Sequence, residues 1–320
     1  MVMTKITEPY ELQYINILKD IYANGHRQLN ERTNVETIRI PHAVISVDLE
    51  AEFPILRCKQ VYWKSSAQEI LWIMQQQSNN INDLKPHIWD AWADEDGSIG
   101  KAYGYQVAKP IVCDGVTYKS QVHYVLERLS ADSSDRRAVI NLWDVDDLHE
   151  MNLVPCCFSS VWTVVDGKLN CMLTQRSADY LVGVPFNTTQ YAILTHLFAR
   201  HLGVGVGRLT HVMADVHIYC YDSHINGGKK MIDNFNKFDN LYMVDRSFLD
   251  DILKACDKDE DGNKESKELA NDIRNAVSVI DSVPKLLINS SETNFFSISA
   301  DDIQIEDYQF MDKIKFDVAT

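Results

Sequence analysis

The stretch PCCFSSVWTVVDGKLNCMLTQRS, residues 155–177, predicts two β-strands joined by a tight turn. Residues 158–165 and 168–174 form the two strands, and Asp166-Gly167 lies between them. An Asp-Gly pair favours a two-residue hairpin loop, and a loop of that length fixes the register of the strands that it joins. The sequence therefore predicts a β-hairpin with one defined pairing.

That pairing brings a thiol near a guanidinium. Counting outward from the turn places Cys156 opposite Ser177 and directs Arg176 to the other face, so Arg176 approaches Cys156 only where a bulge or a strand end re-aims it. A cation beside Cys156 would lower the thiol pKa and populate the nucleophilic thiolate. The alternative is a buried, inert Cys156 and a surface Arg176.

Length and composition are those of an ordinary globular protein. The chain has 320 residues, enough for a sizeable core, and we expect a single domain over residues 1–320. No apolar stretch approaches the roughly 20 residues of a membrane span, and the first residues lack a secretory apolar segment, so we expect a soluble, cytoplasmic protein. Seven cysteines without metal-ligand spacing indicate reduced thiols and no metal.

The formal net charge of −15 argues against a nucleic-acid or membrane partner. A small anion can still bind where a few arginines converge. Candidate phosphate donors are Arg32, Arg136, Arg137 and Arg176, although exposed arginines often only form surface ion pairs.

Three segments predict helices. Residues 8–23 and 65–77 carry apolar residues at helical spacing, and Glu69 lies within the second segment. Asn187 precedes the helical run 188–202, and an Asn in that place is typical of a helix N-cap.

Two further segments alternate like strands, residues 44–48 and 211–219. Residues 87–106 lie between the second predicted helix and the hairpin and are rich in aromatic, glycine and acidic residues. They show neither helical nor strand periodicity, which favours either a loop that forms the wall of a binding site or a loop packed on its own side chains. Alternation in 211–219 places on one face Asp215, His217 and Tyr219.

A charged, helical insertion is expected at about residues 225–282. It contains the spacing of a calcium-binding loop from Asp257 to Glu268. Lys264 stands where such loops carry an apolar residue, and no second loop is present in the sequence, so we interpret the segment as a solvated acidic turn.

Several ordered motifs resemble one enzyme family. They are Glu31-Arg32-Thr33, Gln68-Glu69-Ile70-Leu71-Trp72, His87-Ile88-Trp89-Asp90, Tyr103-Gly104, Ser134-Asp135-Arg136-Arg137, Pro155-Cys156, Gln175-Arg176-Ser177-Ala178-Asp179, Gly183-Val184-Pro185-Phe186-Asn187 and Asp215-Val216-His217-Ile218-Tyr219. In this order the motifs resemble the thymidylate synthase family, and the resemblance covers nearly the whole chain apart from the insertion.

The resemblance implies an α+β fold in which a large twisted mixed β-sheet is flanked by helices. It further implies a homodimer whose sheets pack back to back. In the family the paired arginines cross to the partner's phosphate pocket, so Arg136 and Arg137 would complete the other subunit's site, while Arg32, Arg176 and Ser177 would serve their own.

The substrate that the resemblance implies is deoxyuridylate, dUMP. An amide at Asn187 donates to O4 and accepts from N3–H, which is the pattern that uracil displays. Family members that act on cytosine nucleotides resemble this chain but carry Asp at that position. His217 and Tyr219 would bind the sugar hydroxyl, and Gln175 belongs to the same nucleotide-binding motif as Arg176.

The implied reaction requires Cys156 as the nucleophile. Carbon 5 of uracil is a poor nucleophile until a thiolate adds at carbon 6. Glu69 would organise water and proton transfers, and Tyr103 would assist removal of the carbon-5 proton.

The implied one-carbon donor is methylenetetrahydrofolate. Asp179 would contact its pterin ring and Trp89 would line its site, together with Gly183 and Phe186 of the neighbouring motif. The family's terminal carboxylate helps to seal this site, a role that falls here to Thr320.

Two departures from the family pattern bear on the product. Cys157 stands where thymidylate synthases usually carry a His, and Thr320 replaces an aliphatic terminal residue. Both favour attack of water on the methylene intermediate, so we expect a dUMP hydroxymethylase similar to those of bacteriophages, acting in the infected host cell if phage-encoded. The alternative is methylation to dTMP, which the retained Trp89 and Tyr103 support.

Two other classes stay open. A hydrolase using Cys156 and His217 would need a glycine-rich oxyanion loop, which the sequence lacks. A nucleotide-binding protein without turnover would leave the intact nucleophile unexplained.

Overall fold

The structure is a computed structural model that describes residues 8–31, 33–242, 246–258 and 264–318. Three predicted features therefore lie wholly or partly outside the described residues: Arg32, Thr320 and the acidic turn from Asp257 to Glu268.

Within these ranges the chain forms eight α-helices and eleven strands. The helices are α1 Tyr10–Asn24, α2 Trp63–Leu71, α3 Gly104–Ala108, α4 Gln121–Ala131, α5 Gly183–Leu202, α6 Asp222–Tyr242, α7 Arg246–Lys258 and α8 Lys264–Asp281. The strands are β1 His26–Asn30, β2 Val35–Asp48, β3 Ile111–Cys113, β4 Val116–Tyr118, β5 Val139–Asn141, β6 Cys157–Val165, β7 Lys168–Gln175, β8 Ala178–Asp179, β9 Gly205–Tyr219, β10 Lys285–Ile288 and β11 Ile303–Glu306.

One large mixed sheet organises the described part of the molecule. Its strands follow the order β1-β2-β9-β7-β6-β5, and β8 pairs with β9 beyond the end of β7. The pairs β7-β9 and β8-β9 are parallel, and the other neighbours are antiparallel. Helix α1 packs on β2, and α5 packs on β7 and β9. The predicted α+β class, a large mixed sheet flanked by helices, is confirmed.

Burial of large side chains between the sheet and its helices holds these layers together. Trp162 of β6 and Phe198 of α5 are fully buried, with ring centroids 4.7 Å apart. Tyr14 of α1 stacks on Tyr180 at 4.5 Å, and the Tyr180 hydroxyl donates to the Tyr14 carbonyl at 2.9 Å. Each fully buried aromatic side chain contributes about 1.5–3 kcal/mol through removal of apolar surface from water.

The predicted hairpin is confirmed, but its pairing changes before it reaches Cys156. Asp166 and Gly167 have φ of 52° and 69°, as a two-residue turn between twisted strands requires. The predicted register holds as far as Ser159 opposite Thr174, and Cys157 then lies opposite Gln175. Phe158 is thus an extra, bulged residue.

The predicted pairing of Cys156 with Ser177 is consequently wrong. The bulge shifts the strand by one residue, and the Arg176 N–H donates to the Cys156 carbonyl at 2.9 Å. With regular alternation Arg176 would lie on the opposite face from Cys156. The bulge breaks that alternation and brings the two residues together.

The prediction that Asn187 caps a helix beginning at residue 188 is also wrong. Helix α5 begins at Gly183, so Asn187 lies inside its second turn. The Asp179 Oδ1 atom accepts from the N–H groups of Leu181 and Val182, which orders the chain just before the helix. Pro185 is tolerated because it stands in the first turn, where its missing N–H has no helical partner.

Strand β9 does not keep one alternation along its length. His211 and Met213 are fully buried, yet so are Val216 and Ile218. Asp215 lies between the two pairs with a left-handed φ of 47°, which rotates the strand and exchanges its faces. The predicted single face carrying Asp215, His217 and Tyr219 is therefore interrupted at its first member.

The other predicted segments are present with altered ends. Residues 8–23 correspond to α1, and residues 44–48 form only the last part of the longer β2. Residues 65–77 correspond to α2 followed by a π-helical turn, Trp72–Gln76. Across the described residues, no helix is long and apolar enough to cross a membrane.

Candidate active site

A cavity of about 570 Å³ opens where the start of β6, the ends of β7 and β8 and the start of α5 meet. Most of its wall is apolar, including Ile70, Ile73, Leu142 and Leu153. Eleven of the predicted site residues line it: Glu69, Trp89, Tyr103, Cys156, Cys157, Gln175, Ser177, Asp179, Gly183, Phe186 and Asn187. The fold thus brings together in one cavity residues that are distant in the sequence. The two that lie furthest apart, Glu69 and Asn187, are separated by 118 positions.

Backbone contacts fix the position of Cys156. Its N–H donates to the Tyr103 hydroxyl at 3.1 Å, and its carbonyl accepts from Arg176. The Arg176 side chain donates to the carbonyls of Pro155 at 3.0 Å and Val154 at 2.8 Å, and its guanidinium lies over the Trp143 ring. Arg176 does not line the cavity; it clamps the segment that presents the thiol.

The Tyr103 backbone is strained. Its φ of 38° is rare for a residue with a side chain, and such strain concentrates at functional sites. Gly104 follows because a Cβ there would lie 1.9 Å from the Ser78 carbonyl oxygen. Burial raises the pKa of Tyr103 well above its usual value, so the phenol stays protonated beside Cys156.

Glu69 is a buried carboxyl that faces the cavity. Burial raises its pKa to about 7, although the hydrogen bond from Trp89 and the nearby Gln190 amide act in the opposite direction. The Trp89 indole donates to Glu69 Oε1 at 2.9 Å and packs edge-on against Tyr103 at 5.1 Å. A carboxyl with such a pKa can both take up and release a proton near neutral pH.

Cys157 is buried against the same cavity. It is 4 % exposed, and burial raises the pKa of its thiol well above the usual range. Cys157 is therefore a neutral, weakly hydrogen-bonding group next to Cys156.

Asn187 approaches the cavity from α5. Its Nδ2 atom donates to the Oε1 atom of Gln190 at 3.1 Å, one helical turn further on. Gln190 also lines the cavity and is 2 % exposed. Sequence reasoning missed Gln190, for which the only signal is its position three residues after Asn187 on one helix.

A buried chain of hydrogen bonds supports Gln175 from behind. Its Nε2 atom donates to the Ser177 carbonyl at 3.0 Å, and its Oε1 atom lies 2.8 Å from His211 Nε2. Burial lowers the pKa of His211 to about 3, so the ring is neutral. Because Gln175 Oε1 can only accept, His211 carries its proton on Nε2, and its Nδ1 atom lies 3.1 Å from the Thr188 hydroxyl oxygen. This chain orients the strand end that bears Ser177.

The far end of the cavity is closed by aromatic and apolar side chains. Trp89, Trp92 and Phe186 line it, and Asp179 is the carboxylate nearest to the start of α5. Val318, the last described residue, also lines the cavity.

Besides Arg176, four described residues of the predicted set lie outside the cavity. His217 and Tyr219 are buried, with rings packed edge to face at 5.2 Å, and His217 Nδ1 lies 2.7 Å from the Asp215 carbonyl. Arg136 and Arg137 lie on an exposed loop, where Arg137 pairs with Asp114 at 3.4 Å.

Among the described residues, no group of three or more His, Cys, Asp or Glu side chains is placed to hold a metal ion. All seven cysteines lie in these ranges, and none forms a disulfide.

Comparisons with known proteins agree with this geometry. The sequence model of the family "Thymidylate synthase" matches residues 12–320. A thymidylate synthase of Clostridium beijerinckii is 38% identical over 97% of this chain and 98% of its own length. A thymidylate synthase of Bacillus phage phi3T is 31% identical over 97% and 99%.

Among solved structures, the thermostable thymidylate synthase A of Bacillus subtilis superposes with a TM-score of 0.76 at 30% identity. The match covers 98% of this chain and 100% of that one. The gathered motifs, the cavity and these matches together place the chain in the thymidylate synthase family.

Proposed function

We propose that this chain is a thymidylate synthase, which transfers a one-carbon unit from methylenetetrahydrofolate to carbon 5 of dUMP and produces dTMP and dihydrofolate. The observation that carries the proposal is the convergence of Cys156, Glu69 and Asn187 on one cavity. The curated relatives at 31–38% identity bear the same name.

In this proposal the Cys156 thiolate adds to carbon 6 of the pyrimidine. The electron pair of the 5,6 double bond moves onto the ring and makes carbon 5 nucleophilic. When carbon 5 has gained its substituent, it loses its proton, and Tyr103 and Glu69 lie on the cavity wall to hold and relay that proton. The electrons left at carbon 5 would expel tetrahydrofolate from the one-carbon unit, and a hydride from that tetrahydrofolate would reduce the exocyclic methylene to a methyl group. Re-formation of the 5,6 double bond then expels the thiolate and regenerates Cys156.

In this proposal the nucleotide is held by residues of the cavity and by others that lie outside it. Asn187 reads the uracil edge, Ser177 and Gln175 lie beside Cys156, and His217 and Tyr219 take the sugar hydroxyl. We assign Arg176 a second role here: it positions the segment before Cys156 through the Pro155 and Val154 carbonyls, in addition to contributing positive charge near the phosphate.

The cavity fits the proposed folate. A flat pterin ring matches the aromatic wall of Trp89 and Phe186, and Asp179 is placed to accept from ring N–H groups. When bound, the folate supplies the one-carbon unit and, for the methyl product, a hydride. The residues of this chain hold the two ring systems against each other and keep water away from the reacting carbon.

A hydroxymethylated product is the second candidate function, and Cys157 is the observation that favours it. A neutral buried thiol cannot order water as a ring with two hydrogen-bonding nitrogens does. Against this, the wall of the cavity is mostly apolar, and exclusion of water favours hydride transfer. We therefore place methylation first.

One measurement decides between these functions. The protein is incubated with dUMP and methylenetetrahydrofolate, and the nucleotide product is weighed by mass spectrometry while dihydrofolate is followed by absorbance. A methyl group with equimolar dihydrofolate supports the synthase. A hydroxymethyl group without dihydrofolate supports the second candidate, and a folded protein that makes neither product contradicts both.

We further propose that the chain acts as a homodimer. The sheet face opposite α1 and α5 carries exposed apolar side chains on its central strands, Val44 at 51% and Met172 at 45% exposure. Large side chains at the middle of a sheet face are suited to packing against a second copy. Arg136 and Arg137, exposed on their loop, are assigned to the phosphate site of the neighbouring subunit.

We propose, finally, that residues 1–320 form one domain with an insertion at about 225–282. Helices α6, α7 and α8 account for most of that segment. Helix α6 packs on α8 of the same segment and on α1 outside it.

A further inference from the structure

We propose that Gln190 is a specificity-determining residue, which holds the Asn187 amide in one orientation and thereby makes the cavity accept uracil and reject cytosine. This inference rests on the proposed function, because it concerns how the same cavity reads a pyrimidine nucleotide.

The contact between the two amides is direct and half-buried. Asn187 Nδ2 donates to Gln190 Oε1 at 3.1 Å. The two residues stand three apart on α5, a spacing that places side chains on the same helix face. Gln190 is 2 % exposed and lines the cavity beside Asn187. The Gln190 end of the bond is therefore buried, while its Asn187 end lies at the wall of the cavity where we propose that the substrate binds.

The Gln190 oxygen fixes which way the Asn187 amide points. A flipped Asn187 would set its own oxygen against Gln190 Oε1, and two acceptors repel at hydrogen-bond distance. With Nδ2 turned to Gln190, one N–H and the Oδ1 atom of Asn187 remain for a ligand.

Glu69 fixes the orientation of Gln190 in turn. The Gln190 amide stabilises the charged form of Glu69, since it lowers the Glu69 pKa against the effect of burial. A carboxylate attracts the nitrogen end of an amide and repels its oxygen. Glu69 therefore turns the Gln190 nitrogen toward itself and the oxygen toward Asn187.

A buried donor is left over at the same place. The Gln190 Nε2 atom completes no hydrogen bond with any atom of the described residues. A buried donor without an acceptor is costly. A ligand carbonyl oxygen satisfies such a donor, whereas a ligand amino group cannot.

Orientation of Asn187 decides between the two pyrimidines. Uracil offers N3–H and the oxygen at carbon 4, which match an amide oxygen and an amide N–H. Cytosine offers a bare N3 and an amino group, which match the same amide only after it has flipped. Contacts that keep the Asn187 amide from flipping thus make the cavity reject cytosine, with no charged residue needed at the base.

The test compares binding of dUMP and dCMP to the intact protein by isothermal titration calorimetry, without folate. Gln190→Met keeps the volume and removes the amide, and Gln190→Ala truncates the side chain toward the cavity. In both variants the preference for dUMP over dCMP falls by about tenfold or more, as loss of one buried hydrogen bond implies. Gln190→Glu keeps an oxygen for Asn187 and retains most of the preference.

The matched control is Thr195→Val on the same helix, a buried residue whose hydroxyl donates to the Tyr191 carbonyl away from Asn187. It leaves the preference unchanged. If Gln190→Met and Gln190→Ala weaken both nucleotides by the same factor, Gln190 only packs and the inference is overturned. If the unaltered protein binds neither nucleotide, the proposed function fails with it, and the two failures are told apart by that first titration.

Discussion

At the scale of single residues, Cys156 lines the cavity and is held through its backbone. Its N–H and carbonyl are bonded to Tyr103 and Arg176. A change confined to the sulfur should therefore leave the local structure in place, so that chemistry and binding can be separated by mutation.

Cys156→Ser tests this separation. Because a serine hydroxyl is a far weaker nucleophile than a thiolate, turnover of dUMP should fall by at least about a thousandfold. The dissociation constant for dUMP should stay within about threefold, since no binding contact of the backbone is lost. Product is measured by mass spectrometry and binding by calorimetry; turnover that survives the substitution contradicts the assignment of the nucleophile.

Glu69 predicts a pH dependence of stability. Its pKa is raised to about 7 in the folded protein by burial, so the folded state holds a proton that the unfolded chain has released. This contribution to stability is fully present below the unfolded pKa and is lost as the pH rises through about 7, a loss of about 3 kcal/mol.

Glu69→Gln removes this titration while its oxygen can still accept from Trp89. The difference in free energy of unfolding between the variant and the parent should grow in favour of the variant from pH 5 to pH 8, and change little above that. Urea denaturation at several pH values measures it. A difference that is the same at pH 5 and pH 8 would show that Glu69 titrates normally.

At the scale of elements, the site depends on irregularities that lie at the ends of regular segments. The bulge at Phe158 sets Cys156 beside Arg176, and the strained Tyr103 at the start of α3 brings its hydroxyl to the Cys156 N–H. Neither element positions the nucleophile alone.

Gly104→Ala tests the second of these contacts. A Cβ there would lie 1.9 Å from the Ser78 carbonyl oxygen, so the start of α3 must move, at a cost of about 3 kcal/mol or more. Tyr103 moves with it, and turnover falls. Urea denaturation and turnover are measured together.

Gly115→Ala is the matched control. It stands in the turn between β3 and β4 with φ of 79° and no neighbour within 4 Å of an added Cβ, so it meets backbone strain alone. It should cost only about 1 kcal/mol and leave turnover unchanged. Equal costs for the two substitutions would contradict the close contact at Gly104.

The hairpin could be predicted from sequence because a local signal, Asp166-Gly167, determines it. The bulge could not, because its cause is a neighbouring segment: the Phe158 carbonyl accepts from Leu142 N–H at 2.7 Å, just after β5. The face exchange at Asp215 is likewise non-local, since its carboxylate pairs with Arg39 of β2 at 2.8 Å.

The residues of the candidate site likewise include some that the sequence predicts and others that it does not. Motif order predicted the residues that line the cavity, such as Glu69 and Asn187. It gave no signal for Gln190, whose role depends on a side-chain contact, nor for the Thr188–His211–Gln175 chain, whose members come from three separate elements. Contacts of that kind follow from packing and leave no short-range pattern.

At the scale of the whole molecule, the arginines that we assign to the phosphate are not gathered at the cavity of one chain. Arg136 and Arg137 lie on an exposed loop outside the cavity, while Val44 and Met172 stay exposed on the outer sheet face. A second copy packed on that face accounts for both observations, because it buries the apolar residues and supplies arginines across the interface.

Shared sites make a sharp prediction for mixtures of inactive subunits. Cys156→Ser removes the nucleophile from its own site, and the double substitution Arg136→Ala with Arg137→Ala removes the arginines from the partner's site. Mixed dimers then contain one site with both defects and one with neither, so random exchange should restore about a quarter of the parent activity. The two variants are mixed under conditions that allow subunit exchange, and dTMP formation is compared with that of each variant alone.

A further mixture in which both subunits also carry Val44→Lys and Met172→Lys should stay inactive and elute as monomer, because two buried charges oppose packing of the sheet faces. Mixtures that remain inactive while light scattering shows mixed dimers would mean that each subunit uses only its own arginines.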